Sequence, residues 1–200
     1  MKTNLEKVLS DVRAGVPVVV VDDYDRENEG DIVIAAEVAS IANLVFTMNH
    51  AKGLMCIPML GEDLDRLKIP PMVQNNEDKN QTPFAVSVDA IEGVSTGMSA
   101  ADRLLTLNVL TGNNSVPAQL SRPGHLFPLR AQPGLLQDRR GHTEGSLQLL
   151  KLAGMKQVAI ICEIMNDDGT MTSGAQLPAY CEKHDLNIIS IEELYDAAYN

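Results

Sequence analysis

The 200-residue sequence predicts an α+β fold: residues 1–200 as a single layered domain with a mixed β-sheet flanked by helices. Apolar runs of strand length alternate with segments of helical period along the whole chain, which places helices and strands in layers. The strands are irregularly spaced, which argues against a regular barrel. No internal repeat or Ser/Gly linker divides the chain, and 44% apolar residues are enough for one sizeable core.

In order along the chain, Leu5, Val8, Leu9 and Val12 recur at helical spacing, and Gly15 with Pro17 stops that helix. Residues 17–21 read as a buried strand and 32–36 as the next. A helix is expected at about 41–51, then strands over 54–60 and 84–90. The polar runs 74–81 (QNNEDKNQ) and 112–117 look like exposed loops. Ser99 with Asp102 resembles a capping box that opens a helix to about Leu110. RPGH (122–125) reads as a loop before a strand over 126–131. The last third alternates again: helix 144–153 closed by Gly154, strand 158–164, helix at about 176–183, strand 187–190 and a short terminal helix.

The formal charge is −11, and no basic stripe or aromatic-interleaved patch interrupts it, so neither nucleic acid nor an anionic membrane surface is an expected partner. The longest apolar stretch, 16–21, is far too short to cross a bilayer, and the N-terminal segment lacks a signal-peptide core. The expected location is the cytoplasm. Cys56, Cys162 and Cys181 form no CxxC pair and are odd in number, which suits a reducing compartment and three buried, inert thiols.

The densest chemistry is DDYDRENEGD, where Asp22, Asp23, Asp25, Glu27, Glu29 and Asp31 crowd around a single cation, Arg26. Carboxylates this close repel one another unless cations neutralise them. The calcium-binding EF-hand needs glycine at loop position six and glutamate at twelve. Counted from Asp23, those places hold Asn28 and Ile34, so that reading fails. Two readings stand: a solvated acidic turn, or a loop whose oxygens converge on a hard divalent ion such as magnesium, with Gly30 permitting a tight turn.

RRGHTEG (139–145) precedes an amphipathic helix. Gly141, His142 and Thr143 can offer backbone donors to a phosphate at the helix start, with Arg139 as a bidentate partner. Alternatively, Thr143 is an ordinary N-cap and the arginines lie on the surface. A further reading makes His142 a metal ligand, which spacing alone leaves open. Glu163 interrupts the apolar run VAIICEIM, either as a buried carboxyl held ready for proton transfer or on a solvent-facing edge. His125 follows a Pro-Gly turn as a loop acid or base, or as a structural histidine. His50 and His184 near helix ends are assigned structural roles.

The stretches DDYDRENEGDIVIAAE, STGMSAADR, RPGHLFPLRA, RRGHTE and CEIMNDDGTM follow one another in the order and spacing of 3,4-dihydroxy-2-butanone 4-phosphate synthases. From about Leu5 to Tyr195 the chain resembles that family of riboflavin-pathway enzymes. The resemblance implies conversion of D-ribulose 5-phosphate to formate and L-3,4-dihydroxy-2-butanone 4-phosphate. It also implies magnesium, with manganese as an alternative, no organic cofactor, and a homodimer. The GTP cyclohydrolase II domain fused to some members is not expected here, so the monofunctional form is.

By the same resemblance Glu27 and His142 ligate the metal and contact substrate, Arg26 and Asp31 hold sugar hydroxyls, and Thr96 adds a further contact. Arg139, Gly141 and Thr143 take the phosphate. His125 and Glu163 exchange protons, with Glu163 also touching substrate. Cys56 lies near the site without a covalent role, and the acidic loop closes over the sugar. Leu135, Gly145 and Ala85 depart from the usual glycine, alanine and threonine. Gly145 is expected to loosen its helix by up to about 1 kcal/mol, and Asp138 to compete for the guanidinium of Arg139. A magnesium-dependent phosphosugar isomerase or aldolase would share the acidic loop and phosphate motif without releasing formate. A catalytically silent binding protein would lack Glu27, His142 or Glu163, and all three are present.

Overall fold

The computed structural model describes residues 4–200. Helix α1 (Leu5–Arg13) leads into the hairpin of β1 (Val18–Val21) and β2 (Gly30–Ala35), followed by α2 (Ile41–His50), β3 (Cys56–Met59) and α3 (Gly61–Arg66). After a long loop come β4 (Val88–Ala90), α4 (Ala100–Thr111) and β5 (Leu120–Arg130). The chain closes with α5 (His142–Leu152), β6 (Ala159–Glu163), α6 (Leu177–His184), β7 (Ile188–Ser190) and α7 (Ile191–Tyr199). Among the described residues these strands make one seven-stranded sheet in the order β4-β5-β3-β6-β2-β1-β7. β1–β7 and β3–β5 pair parallel and the other neighbours antiparallel, so the sheet is mixed, as expected. No helix among the described residues is long and apolar enough to cross a membrane.

The central strands are apolar at successive positions because both faces are covered. Val18, Val20, Val33 and Ile161 face one layer with Val8 and Val12 of α1, Leu147 and Leu150 of α5, and Leu194 of α7. Val19, Ile32, Ile34 and Ile160 face the other, with Leu44 of α2, Leu107 and Leu110 of α4, and Cys181 of α6. All three cysteines are buried free thiols. A fully buried Val or Ile contributes about 1.5–3 kcal/mol. A carboxylate pair at a wet strand end repels by only about 1–4 kcal/mol. The strands can therefore carry charge at their ends without losing their pairing.

Several expectations are corrected. The helix α3 was not foreseen, because GEDLDR has a single core residue, Leu64, and so shows no period. The expected strand over 84–90 pairs as a ladder only at Val88–Ala90, while Phe84 and Ala85 make isolated bridges to Leu129 and Pro71. RPGH lies inside β5 rather than in a connecting loop. It does stand out of the ladder, since Val88 opposes Leu126 while Asp89 opposes Ser121. The capping box at α4 is half formed. Ser99 Oγ accepts the Asp102 amide proton at 3.1 Å, but the Asp102 carboxylate turns to the amides of Ser95 (3.0 Å) and Gly97 (3.1 Å) and the Ser95 hydroxyl (2.8 Å). A Cβ on Gly145 would lie 3.1 Å from Ile191 Cγ1, so packing against α7 opposes the helix-propensity gain of alanine there.

Leu135 occupies the left-handed region at φ +50 with its side chain buried in the α5 layer. Replacing it with glycine relieves about 1–2 kcal/mol of backbone strain but removes a buried leucine worth about 2–5 kcal/mol. Leu135→Gly is expected to lower stability by about 1–3 kcal/mol in urea unfolding; a more stable variant would show that strain dominates at this position.

Candidate active site

The acidic loop hangs between β1 and β2, whose register sets Val21 opposite Gly30. It folds around Asp22, whose buried carboxylate accepts from Arg26 Nη1 (2.8 Å) and from the amides of Glu27 (3.1 Å) and Glu29 (2.9 Å). The left-handed backbone position falls at Asn28 (φ +56) and not at Gly30. Gly30 is required for another reason, since a Cβ there would lie 2.6 Å from Leu177 Cδ2 of α6.

Strand register then gathers the charges. Asp31 of β2 stands opposite Glu163 of β6, and Cys56 of β3 opposite Ile161 two residues earlier, so their side chains share one sheet face. The start of α5 packs over that face and lowers His142 into it, only 7% exposed. His142 Nδ1 lies 3.8 Å from Glu27 Oε2 and Nε2 lies 4.0 Å from Asp31 Oδ1. Burial by itself disfavours the imidazolium, but Asp31, Glu27 and Asp22 outweigh it and raise the His142 pKa to about 9. The facing His142, with Arg26, holds Glu27 down at about 2 against its own burial. Burial raises Asp31 to about 7, opposed by His142 and reinforced by Glu163.

Helix α5 begins at His142, two residues before its expected start, with Gly141 as N-cap, so Thr143 is inside the first turn and is not the cap. A Cβ on Gly141 would meet the guanidinium of Arg139 and lie 3.1 Å from Arg26 Nη2, so two guanidinium groups converge at the helix start. Arg139 is no surface residue. Its Nη1 donates to Glu144 Oε2 at 2.8 Å, and the fully buried Glu144 also accepts the Gln132 amide at 3.0 Å. Asp138 does not compete for Arg139; it turns away to accept the Gly134 amide at 2.7 Å.

Arg26, Glu27, Asp31, Arg139, His142, Thr143 and Glu163 line one cavity of about 130 Å³, together with Cys56 and Thr82. Larger cavities of about 610 and 600 Å³ share Pro83 and Arg130 and lack this charge set. Glu163 is aimed by the Leu54 amide, which donates to Oε2 at 2.8 Å, and a Cβ on Gly53 would strike it. The Cys56 thiol is pushed up by burial and by Glu163, so it stays protonated, consistent with no covalent role. Thr96 and His125 lie outside this cavity. His125 is held by Asp89, which accepts its amide at 2.9 Å and approaches Nδ1 at 2.6 Å. Gly124 permits that placement, since a Cβ there would overlap the Val88 backbone. Thr96 is exposed on the 95–97 turn that Asp102 holds. His50 and His184 end α2 and α6, with ring centroids 4.7 Å apart and planes tilted by 47°.

Sequence reasoning missed Asp22 as the hub of the loop, Glu144 as the anchor of Arg139, Asp89 as the partner of His125, and Asn80. The run 74–81 is an exposed loop, as expected, but Asn80 Nδ2 donates to Glu27 Oε1 at 2.5 Å and its carbonyl accepts from Arg139 Nη2 at 3.2 Å.

The sequence model of 3,4-dihydroxy-2-butanone 4-phosphate synthase matches residues 6–197. The synthase of Bordetella pertussis is 45% identical over 192 residues, 96% of this chain and 84% of that protein. That of Serratia proteamaculans is 42% identical over 190 residues, covering 95% and 88%. The chain belongs to the 3,4-dihydroxy-2-butanone 4-phosphate synthase family. It is thus an enzyme of riboflavin biosynthesis, a lyase. A crystal structure of a synthase in complex with two magnesium ions superposes with a TM-score of 0.93 at 37% identity, covering 96% of this chain and 95% of that one.

The donor set here fits such an ion. Asp22, Glu27 and His142 each offer a ligand atom within 4.8 Å of the others, a group that contains the expected pair Glu27 and His142. Ligands at about 2.1 Å from magnesium can be no more than about 4.2 Å apart, and His142 Nδ1 and Glu27 Oε2 are 3.8 Å apart. Asp31 Oδ1 and His142 Nε2 are buried and without hydrogen-bond partners among the described residues, as expected of groups that bind a ligand.

These charges set a pH dependence for the metal-free synthase. His142 holds its proton to about 9 when folded against 6.5 ordinarily, so its contribution is complete below about 6.5 and is lost as pH rises through 9. Asp31 acts in the same sense, favouring folding while protonated and losing that by about 7. Glu27 contributes above 4.5 and loses its contribution toward 2. In chelator, the Tm is expected to fall from pH 6.5 to 9; a flat or rising profile over that range would mean His142 is neutral.

Proposed function

We propose that this chain, as one catalytic domain, converts D-ribulose 5-phosphate to formate and L-3,4-dihydroxy-2-butanone 4-phosphate. The reading includes magnesium (or manganese), no organic cofactor, and a homodimer. The observation that carries it is the single cavity in which Glu27 and His142 face each other beside Asp31 and Glu163, with Arg139 and Arg26 meeting at the start of α5. A bound divalent ion would be held by Glu27 and His142 and would supply Lewis-acid stabilisation of oxyanions that form next to the ketone.

The protein side chains perform the rest. Arg139, fixed by Glu144, and the α5 amides at Gly141 and Thr143 bind the phosphate. That anchors one end of the sugar and sets its ketone end against Asp31 and Glu163. Arg26 and Asp31 orient hydroxyls. Glu163, its Oε2 held by the Leu54 amide, removes a proton beside the ketone and returns one later. Loss of one hydroxyl as water needs a general acid. Asp31, raised to about 7 by burial, is the group placed to hold that proton near neutral pH, since His142 would be neutral when it holds the ion. In the skeletal shift the phosphate-bearing carbon migrates past its neighbour, one water adds to that displaced carbon, and it leaves as formate, so the water lost earlier is regained and all five carbons are accounted for without an oxidant. With uniformly carbon-13-labelled ribulose 5-phosphate, labelled formate is expected in the NMR spectrum with magnesium and should be absent with chelator; a merely isomerised pentose would overturn the reading.

His125 and Thr96 support the dimer in this reading. The His125 imidazole is 43% exposed, with Nδ1 on Asp89 and the rest of the ring outside the cavity. Two apolar side chains close to Thr96 in the chain, Ile91 and Met98, are exposed. We assign the Thr96–His125 cluster of one protomer to the cavity of its partner. His125→Ala and Glu163→Gln should each be inactive, and mixing them should restore activity through dimers with one intact site. No recovery from verified mixed dimers would place both residues in one chain's site.

A further inference from the structure

We propose that Asn80 is a positioning residue that couples the metal ligand Glu27 to the phosphate ligand Arg139, through a strap over residues 76–82; this rests on the roles assigned to Glu27 and Arg139 above. Three observations carry it. The Asn80 side-chain amide donates to Glu27 Oε1 at 2.5 Å while Arg26 donates to Oε2, so the carboxylate is gripped by both oxygens and its rotation is fixed. The Asn80 carbonyl accepts from Arg139 Nη2 at 3.2 Å, on the side of the guanidinium away from the Glu144 contact at Nη1. The strap is itself built to hold this place. Asp78 Oδ2 accepts from the Asn80 amide (3.1 Å), the Thr82 amide (2.9 Å) and the Thr82 hydroxyl (2.8 Å). Gln81, in the left-handed region at φ +52, ties its side chain back to the Asp78 carbonyl at 2.8 Å.

An amide suits this position. A lysine would add charge beside Arg26, and a carboxylate would repel Glu27, whereas a neutral donor orients the ligand and leaves its charge for the ion. Because the side chain touches Glu27 and only the backbone touches Arg139, the two couplings can be separated by mutation. Asn80→Ala removes the first alone. Asp78→Ala releases the strap and loosens both.

The experiment is calorimetric titration of the full chain with magnesium alone and with inorganic phosphate alone, beside kcat and KM. Asn80→Ala is expected to weaken magnesium binding by about 10-fold, leave phosphate affinity and Tm unchanged, and lower kcat more than it raises KM. Asp78→Ala should weaken both ligands. Asn80→Gln, which keeps the amide, should recover part of the magnesium affinity. Unchanged magnesium affinity in Asn80→Ala, or loss of phosphate affinity by that variant alone, would overturn the proposal while leaving the site intact. Wild-type protein that binds neither probe, or Glu27→Gln that binds magnesium normally, would overturn the site assignment on which it rests.

Discussion

The buried imidazole of His142 between Glu27 and Asp31 is the contact on which the site depends. A ring that is 7% exposed would ordinarily shed its proton, and carboxylates as enclosed as Asp31 would ordinarily keep theirs. Placed 3.8 and 4.0 Å from the ring, Glu27 and Asp31 hold the His142 proton up to about 9 and His142 holds Glu27 down at about 2, while burial keeps Asp31 raised to about 7. The arrangement holds acidic groups of quite different proton affinity within one cavity. Reactions that need several proton transfers in sequence use that kind of separation.

This contact exists because two unrelated requirements of the fold meet. The sheet has to bury both faces, so its central strands are apolar almost to their ends. In β2 and β6 charged residues stand only at those ends, Asp31 second in β2 and still buried, and Glu163 last in β6. Helix α5 has to cover the same face with Leu147 and Leu150, and its N-terminus then falls over the charged strand ends. Its unpaired amides favour anions there, and Arg139, locked by the buried Glu144, adds a fixed positive charge.

The glycines of the site serve approach more than flexibility. A side-chain carbon at Gly141 would meet the guanidinium of Arg139, at Gly53 the carboxylate of Glu163, and at Gly124 the backbone of Val88 beside Asp89. The first two let a charged group and the third a neighbouring backbone come closer than a larger residue permits. Gly30, which looks like a turn glycine in the sequence, instead makes room for the apolar side chain of Leu177.

Much of this was legible in the sequence where local rules suffice. Periodicity fixed the helices over Leu5–Arg13 and Ile41–His50 and the buried strands on either side of the acidic loop, because burial on one or two faces writes itself into residue order. The linear motifs carried the family and the residues of the cavity. Local rules failed where a partner lies far along the chain. Nothing in QNNEDKNQ shows that Asn80 will reach Glu27, and RPGH reads as a loop because its strand partner Asp89 is more than thirty residues away. The sequence alone thus determined most of the elements, the family and the inventory of charges, since these follow from residue type and spacing. Only the tertiary structure decided which charges face each other across 4 Å, because desolvation and Coulomb energies depend on distances that sequence order does not encode.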